Sequence, residues 1–212
     1  MQLPLFPLQD VVLFPNSIIP LHIFEMRYRR MIEDLLDKPE DERFIVVSTM
    51  LKAEQTEDED TSLFYRIATV GKVIHHEYLS DGRSNIIVLG FYSVDAVEIP
   101  PDERKTPYRL VQATKRSENW DNVNNFDTRE RLLQALRTYA MNHRYKIPDL
   151  SNHPMNELLP QLCFGLPLTT QEKLNLLEEF NIPKRIDILL QILQFEPNFI
   201  NFNPQAEQSW IN

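Results

Sequence analysis

Three places in this chain carry side chains suited to chemistry. His75-His76-Glu77 sets two imidazoles beside a carboxylate. A zinc-binding HExxH pair needs its second histidine one helical turn further on, so that both rings share a face, whereas position 80 is Ser and the stretch reads as strand. Neighbours on a strand point to opposite faces, so the sequence predicts one half-buried and one solvated imidazole rather than a metal centre. Glu54, Glu57, Asp58, Glu59 and Asp60 crowd carboxylates that would suit calcium. They lack the alternating spacing and glycine turn of a calcium loop, and read instead as a solvated, self-repelling loop. Cys163 lies in a leucine-rich segment whose apolar surroundings would keep a thiol protonated and inert. His22, His143 and His153 are isolated and read as surface or helix-end residues.

The motifs of the commoner hydrolases are missing. Among four glycines, at 71, 82, 90 and 165, there is no GxxxxGK[ST] loop to cradle a phosphate, and no GxSxG elbow presents a serine. The reading is therefore of a non-catalytic protein with no catalytic residues, no metal and no cofactor.

Composition narrows the classes further. The chain has 212 residues, 42% of them apolar, and a net charge of −9. That is enough apolar content for a real core. The acidity argues against nucleic-acid binding, which draws most of its affinity from neutralised phosphates. The local basic run Arg27-Tyr28-Arg29-Arg30 is followed by Glu33, Asp34 and Asp37, within reach of i,i+4 pairing. No apolar stretch approaches the roughly 20 residues of a membrane-spanning helix, and a single cysteine suits the cytoplasm.

These residues must be positioned by two kinds of element. The opening LPLFPLQDVVLFPNSIIPLHIF is apolar but broken by proline, which predicts short extended pieces bent at Pro4, Pro7, Pro15 and Pro20. It lacks the basic start and small-residue site of a signal peptide. FEMRYRRMIEDLL places Phe24, Tyr28, Met31, Ile32, Leu35 and Leu36 on one helical stripe. Strands follow at 43–50, 66–79, 84–99 and 108–115, and Asp81-Gly82 supplies the positive φ angles of a tight hairpin turn. Beyond Asn119 the pattern turns helical. Asp127 with Glu130 and Thr169 with Glu172 read as capping boxes, and Leu174, Leu177 and Phe180 share a stripe. From Glu196 the chain has no period and reads as a tail.

LPLFPLQDVVLFPNSIIPLHIFE resembles the start of the amino-terminal substrate-binding domain of the Lon protease family, usually LPL-x-PL-R-D-x-V-x-FP-G followed by an IPL strand. FEMRYRRMI, GKVIHHEYLSDGRSNIIVLGFYSV and GLPLTTQEKLNLLEEFNIPKRIDILLQIL resemble its next helix, central hairpin and closing helices, so the likeness runs over residues 1 to 194. Gln9 replaces the usual Arg, and Asn16 the usual Gly. Asn16 tolerates left-handed backbone, but a partly buried Asp10 would need another partner.

The resemblance implies an α+β fold: a PUA-like β pseudobarrel over residues 1–118, a small helical bundle over 119–194, and a tail over 195–212. It implies contact with unfolded or exposed polypeptide segments, as an adaptor or holdase-like protein of quality control working with a separate protease or ATPase. An RNA binder on the PUA-like fold and a small-ligand receptor are the alternatives. Phe14 beside the Pro15 bend, Met26 off its helix stripe, and one of Phe91 and Tyr92, placed on opposite faces of a strand, are the apolar residues expected to be exposed for peptide binding.

Overall fold

The computed structural model describes residues 1–51, 63–100, 105–120, 123, 126–148, 150 and 152–195. The acidic run 54–60 and the tail from Glu196 lie outside them. The fold is α+β. Its elements are β1 (Gln2–Leu8), β2 (Ile18–Ile23), α1 (Met26–Leu36), a 3-10 turn at Glu40–Glu42, β3 (Phe44–Thr49), β4 (Ile67–Tyr78), β5 (Ser84–Glu98), β6 (Leu110–Lys115), and helices α2 (Phe126–His143), α3 (Met155–Gly165), α4 (Thr170–Glu178) and α5 (Ile182–Phe195).

The sheet order is β2-β5-β4-β3-β1-β6, and β6 pairs back onto β5, so five strands close into a ring with β2 as an outrigger. The long β5 makes closure possible: residues 84–95 pair with β4, and 94–98 pair with β6. Leu5, Val46, Val70, Val94 and Val111, one from each ring strand, fill the interior. At the closing seam the buried Arg109 is neutralised by Glu98, with Nη2 2.6 Å from Oε2.

Contrary to expectation, the chain passes through Pro4 and Pro7 without breaking β1. The stagger of its neighbours explains this. Residues 2–4 pair with β6 and residues 5–8 with β3. The Leu5 N–H donates to the Arg109 carbonyl, so alternation turns the Pro4 nitrogen towards β3 before β3 begins to pair. The Pro7 nitrogen faces β6 after that pairing has ended, so neither ring removes a ladder bond. Pro20 is managed differently. The Gly90 N–H donates to the Ser17 carbonyl, and from there alternation turns the backbone of Ile18, Pro20 and His22 towards the open edge of β2. The missing N–H of Pro20 thus falls on the rim.

Outside the ring, α1 lays Tyr28, Met31, Ile32 and Leu35 over Ile45, Val47, Val73, Ile86 and Val88. Burying four such side chains contributes on the order of 6 to 12 kcal/mol before ordering entropy is charged. Phe24 precedes the helix and is exposed instead of joining the stripe. The hairpin loop spans residues 79–83 and is wider than expected. Gly82 alone in it has positive φ (81°); its N–H donates to the Leu79 carbonyl and the Leu79 N–H to the Arg83 carbonyl.

Helices α2 to α5 share one core through Leu132, Leu136, Leu159, Leu177 and Leu189. The capping box at Thr169 is present, with reciprocal bonds to Glu172. Asp127 lies inside the first turn of α2, where its charge meets the positive helix end, and not at the cap the sequence suggested. Phe180 falls beyond the end of α4 and is exposed. The segment between β1 and β2 sends Val12 and Phe14 into the helical core. It turns through Asp10 and Asn16, at φ 54° and 60°, as the short polar side chain at Asn16 allows. Asp10 is exposed, so the buried carboxylate that would have demanded a new partner does not arise.

A cleft between the strand ring and the helices

Cross-strand register places the candidate site. On β5, Tyr92 pairs with Val70 and Gly90 with Gly71, leaving Phe91 as an extra residue in a β-bulge. A bulge re-aims the side chains around it. Phe91 and Tyr92 therefore lie to one side with ring centroids 5.3 Å apart, where strict alternation would have separated them. Phe91 is 54% exposed and stacks at 5.7 Å on Phe44, while Tyr92 is half-buried against the ring interior.

These two aromatics form one wall of a cleft of about 340 Å³. Pro15 and Asn16, the segment Lys115–Glu118, Trp120 and Asn156 of α3 complete it, so the cleft lies where strands meet helices. Its frame is held by main-chain bonds. The Arg116 N–H donates to the Ser93 carbonyl at 3.0 Å and the Asn16 N–H to the Gly90 carbonyl at 2.8 Å. Asn16 Nδ2 reaches the Asn156 carbonyl at 2.9 Å, tying α3 to the β1–β2 connection.

Its charged groups divide sharply. Arg116 donates to the carbonyls of Leu177 and Glu178 at 3.2 and 2.7 Å. Glu118 accepts from the wholly buried Arg185 at 2.6 Å. Lys115 instead stands over the Tyr92 ring, its Nζ 4.9 Å from the centroid.

Of the residues expected to be exposed for binding, Phe91 and Tyr92 meet in this cleft. Met26 is 73% exposed but lies on α1, away from the cleft lining. Phe14 is fully buried, at 0%, because the helices close over the β1–β2 connection, so the expected exposure fails there. Lys115, Trp120 and Asn156 went unrecognised in the sequence. A tryptophan inside the polar run ENWDN was the one signal on offer.

The remaining chemistry-bearing residues are quiet. His75 is exposed and His76 half-buried, bonded to Ser84 Oγ at 3.1 Å. Burial, with the charges of His75 and Arg43, holds the His76 imidazole below its ordinary range. Cys163 is buried in the helical core and its thiol is pushed up to about 12 by desolvation.

The family model of the ATP-dependent protease La (LON) substrate-binding domain matches residues 2–194. The chain belongs to this Lon substrate-binding domain family. Among curated relatives, Lon protease 2 of Desulfotalea psychrophila is 27% identical over 195 residues, covering 90% of this chain and 24% of that protease. The Lon protease of Buchnera aphidicola subsp. Baizongia pistaciae is 24% identical over 203 residues, covering 92% and 25%. The chain thus spans about a quarter of the length of the Lon proteases it matches. Its fold is that of the N-terminal domain of Mycobacterium avium complex Lon protease, with TM-score 0.68 at 14% identity, covering 93% of this chain and 100% of that one. A Lon N-terminal domain protein from Xanthomonas campestris gives TM-score 0.64 at 19% identity, covering 93% and 99%. Among the described residues, no helix is long and apolar enough to cross a membrane.

Proposed function

We propose that this Lon-type domain binds exposed segments of unfolded polypeptide through the cleft beneath Phe91, without catalysis of its own. In this reading it serves cytoplasmic quality control as an adaptor or holdase, passing bound chains to a separate ATPase-protease. The strand-rich part to residue 118, a ring of the PUA-like kind, and the helical part from 119 to 194 act as two subdomains whose junction is the binding site. One observation carries the reading: a bulge turns two neighbouring aromatics to the same side, over a cavity large enough for a side chain or two. The support lies in contiguity: Phe91 packs on both Phe44 and Tyr92 beside the cavity, an aromatic surface of the kind that anchors an apolar segment.

RNA binding finds less support. Arg27 is held by Glu25, just ahead of α1, at 2.9 Å, and Arg30 by Asp34 at 2.8 Å, so two of the three arginines in the basic run are neutralised locally.

The test is fluorescence anisotropy with a labelled, permanently unfolded polypeptide. Saturable binding is expected, and Phe91→Ala should weaken it about five- to thirtyfold, as for a central aromatic anchor. Undiminished binding by that variant would remove the cleft from the account. Failure to bind any unfolded chain, or preference for mixed RNA at low salt, would remove the function.

A further inference from the structure

Building on the polypeptide reading above, we infer that the cleft selects segments in which an apolar or aromatic residue lies next to an acidic side chain, and that Lys115 is the residue that reads the acid.

Among the described residues, three full charges border the cleft besides Lys115: Arg116, Glu118 and, behind it, Arg185. The Arg116 guanidinium keeps its charge but is turned onto two helix-end carbonyls of α4, whose partial negative charge it meets, and Glu118 and Arg185 neutralise each other at 2.6 Å. The Lys115 ammonium has instead the face of Tyr92, which holds it in place without cancelling its charge. The cleft thus presents a cation within a molecule of net charge −9. A polypeptide whose aromatic side chain rests on Phe91 and Tyr92 places the next side chain within reach of Lys115, because the ammonium stands 4.9 Å from the Tyr92 centroid. A carboxylate there gains an ion pair; a lysine there meets a like charge beside an aromatic face already occupied by an ammonium.

The acid is a side chain and not a chain terminus. Capture of a terminal carboxylate relies on converging free backbone N–H groups. The Asn16 and Arg116 N–H groups at this cleft are already given to the Gly90 and Ser93 carbonyls. A lone ammonium on a flexible stem suits a mid-chain aspartate or glutamate.

Twelve-residue peptides of Gly and Ser, each carrying one Phe followed by Asp, Asn or Lys, with the C-terminus free or amidated, supply the test by anisotropy at low and high salt. The Phe-Asp peptide is expected to bind about three- to fivefold more tightly than Phe-Asn, the range of a partly exposed ion pair, with Phe-Lys weakest. That margin should shrink at 0.5 M salt, roughly where screening reaches a few ångströms. In Lys115→Met the three peptides should converge, and Lys115→Arg should restore the order; circular dichroism verifies that both variants are folded. Equal affinity of Phe-Asp and Phe-Asn for the unaltered protein, survival of the margin in Lys115→Met, or a gain from the free C-terminus would each overturn the inference while leaving polypeptide binding intact. Absence of binding by every peptide and by the long unfolded chain would overturn both.

Discussion

Arg185 of α5 lies with no exposed surface, its Nη2 2.6 Å from Oε1 of Glu118 in the segment that follows β6. Its Nε donates to the Glu179 carbonyl at 2.8 Å, so one side chain joins the last helix, the end of α4 and the wall of the cleft. Removing the acid strands a guanidinium away from water. Glu118→Ala should cost about 3 to 5 kcal/mol in urea unfolding, the cost of orphaning a buried charge. Arg185→Met, which fills the same space without charge and leaves Glu118 at the water-reached cleft, should cost clearly less. A larger loss in Arg185→Met would show that the ion pair itself, and not the orphaned charge, is what the fold needs.

Close approach at Gly90 gives a second expectation. A methyl group there would collide with the carbonyl oxygen of Phe14, a backbone atom that cannot swing aside. Gly90→Ala should lower stability by about 1 to 3 kcal/mol, the range for overpacking a tight site. Gly165, at the end of α3, faces open space at ordinary φ, and Gly165→Ala should stabilise by about 0.4 to 1 kcal/mol. Thermal unfolding of the pair decides: a destabilised Gly165→Ala or a neutral Gly90→Ala contradicts the geometry.

Two tyrosines set the alkaline limit. Burial, reinforced by a 2.7 Å bond to Glu178, pushes Tyr65 up to about 12. Burial and the bond to Asp34 raise Tyr108 further. The neutral phenol is the form the fold favours. The contribution is therefore complete below pH 10, the ordinary phenol value, and is lost as pH rises through 10 towards 12 and beyond. Absorbance titration of the folded protein should show these two phenols ionising only with unfolding. Tyr65→Phe should flatten the fall in stability between pH 10 and 12. An unchanged pH profile in that variant would mean that Tyr65 does not bear on it.

What was legible in the sequence was local. Periodicity separated a strand-rich part from a helical one, and the Thr169–Glu172 box reports only on residues three apart. The misreadings share a cause in long-range geometry. Pro4 and Pro7 are tolerated because β3 and β6 pair with different halves of β1, a stagger set by residues some 40 and 100 positions away. Phe24 and Phe180 continue a helical period past the points where α1 and α4 begin and end. Phe14 is buried by helices more than a hundred residues downstream. For the site, aromatic content at Phe91 and Tyr92 was visible, but their shared side depends on an extra residue opposite Gly71. Lys115 gained its meaning only once Arg116 and Glu118 were seen to be engaged.

Ring closure leaves β2 as the open rim among the described strands, and Pro20 occupies the middle of that rim with no hydrogen to offer. Under the polypeptide-binding proposal, a bound chain would be gripped by its side chains and would meet on this rim a ladder interrupted at its middle. An edge blunted in this way resists pairing with an extended strand of another chain, the contact from which fibres grow.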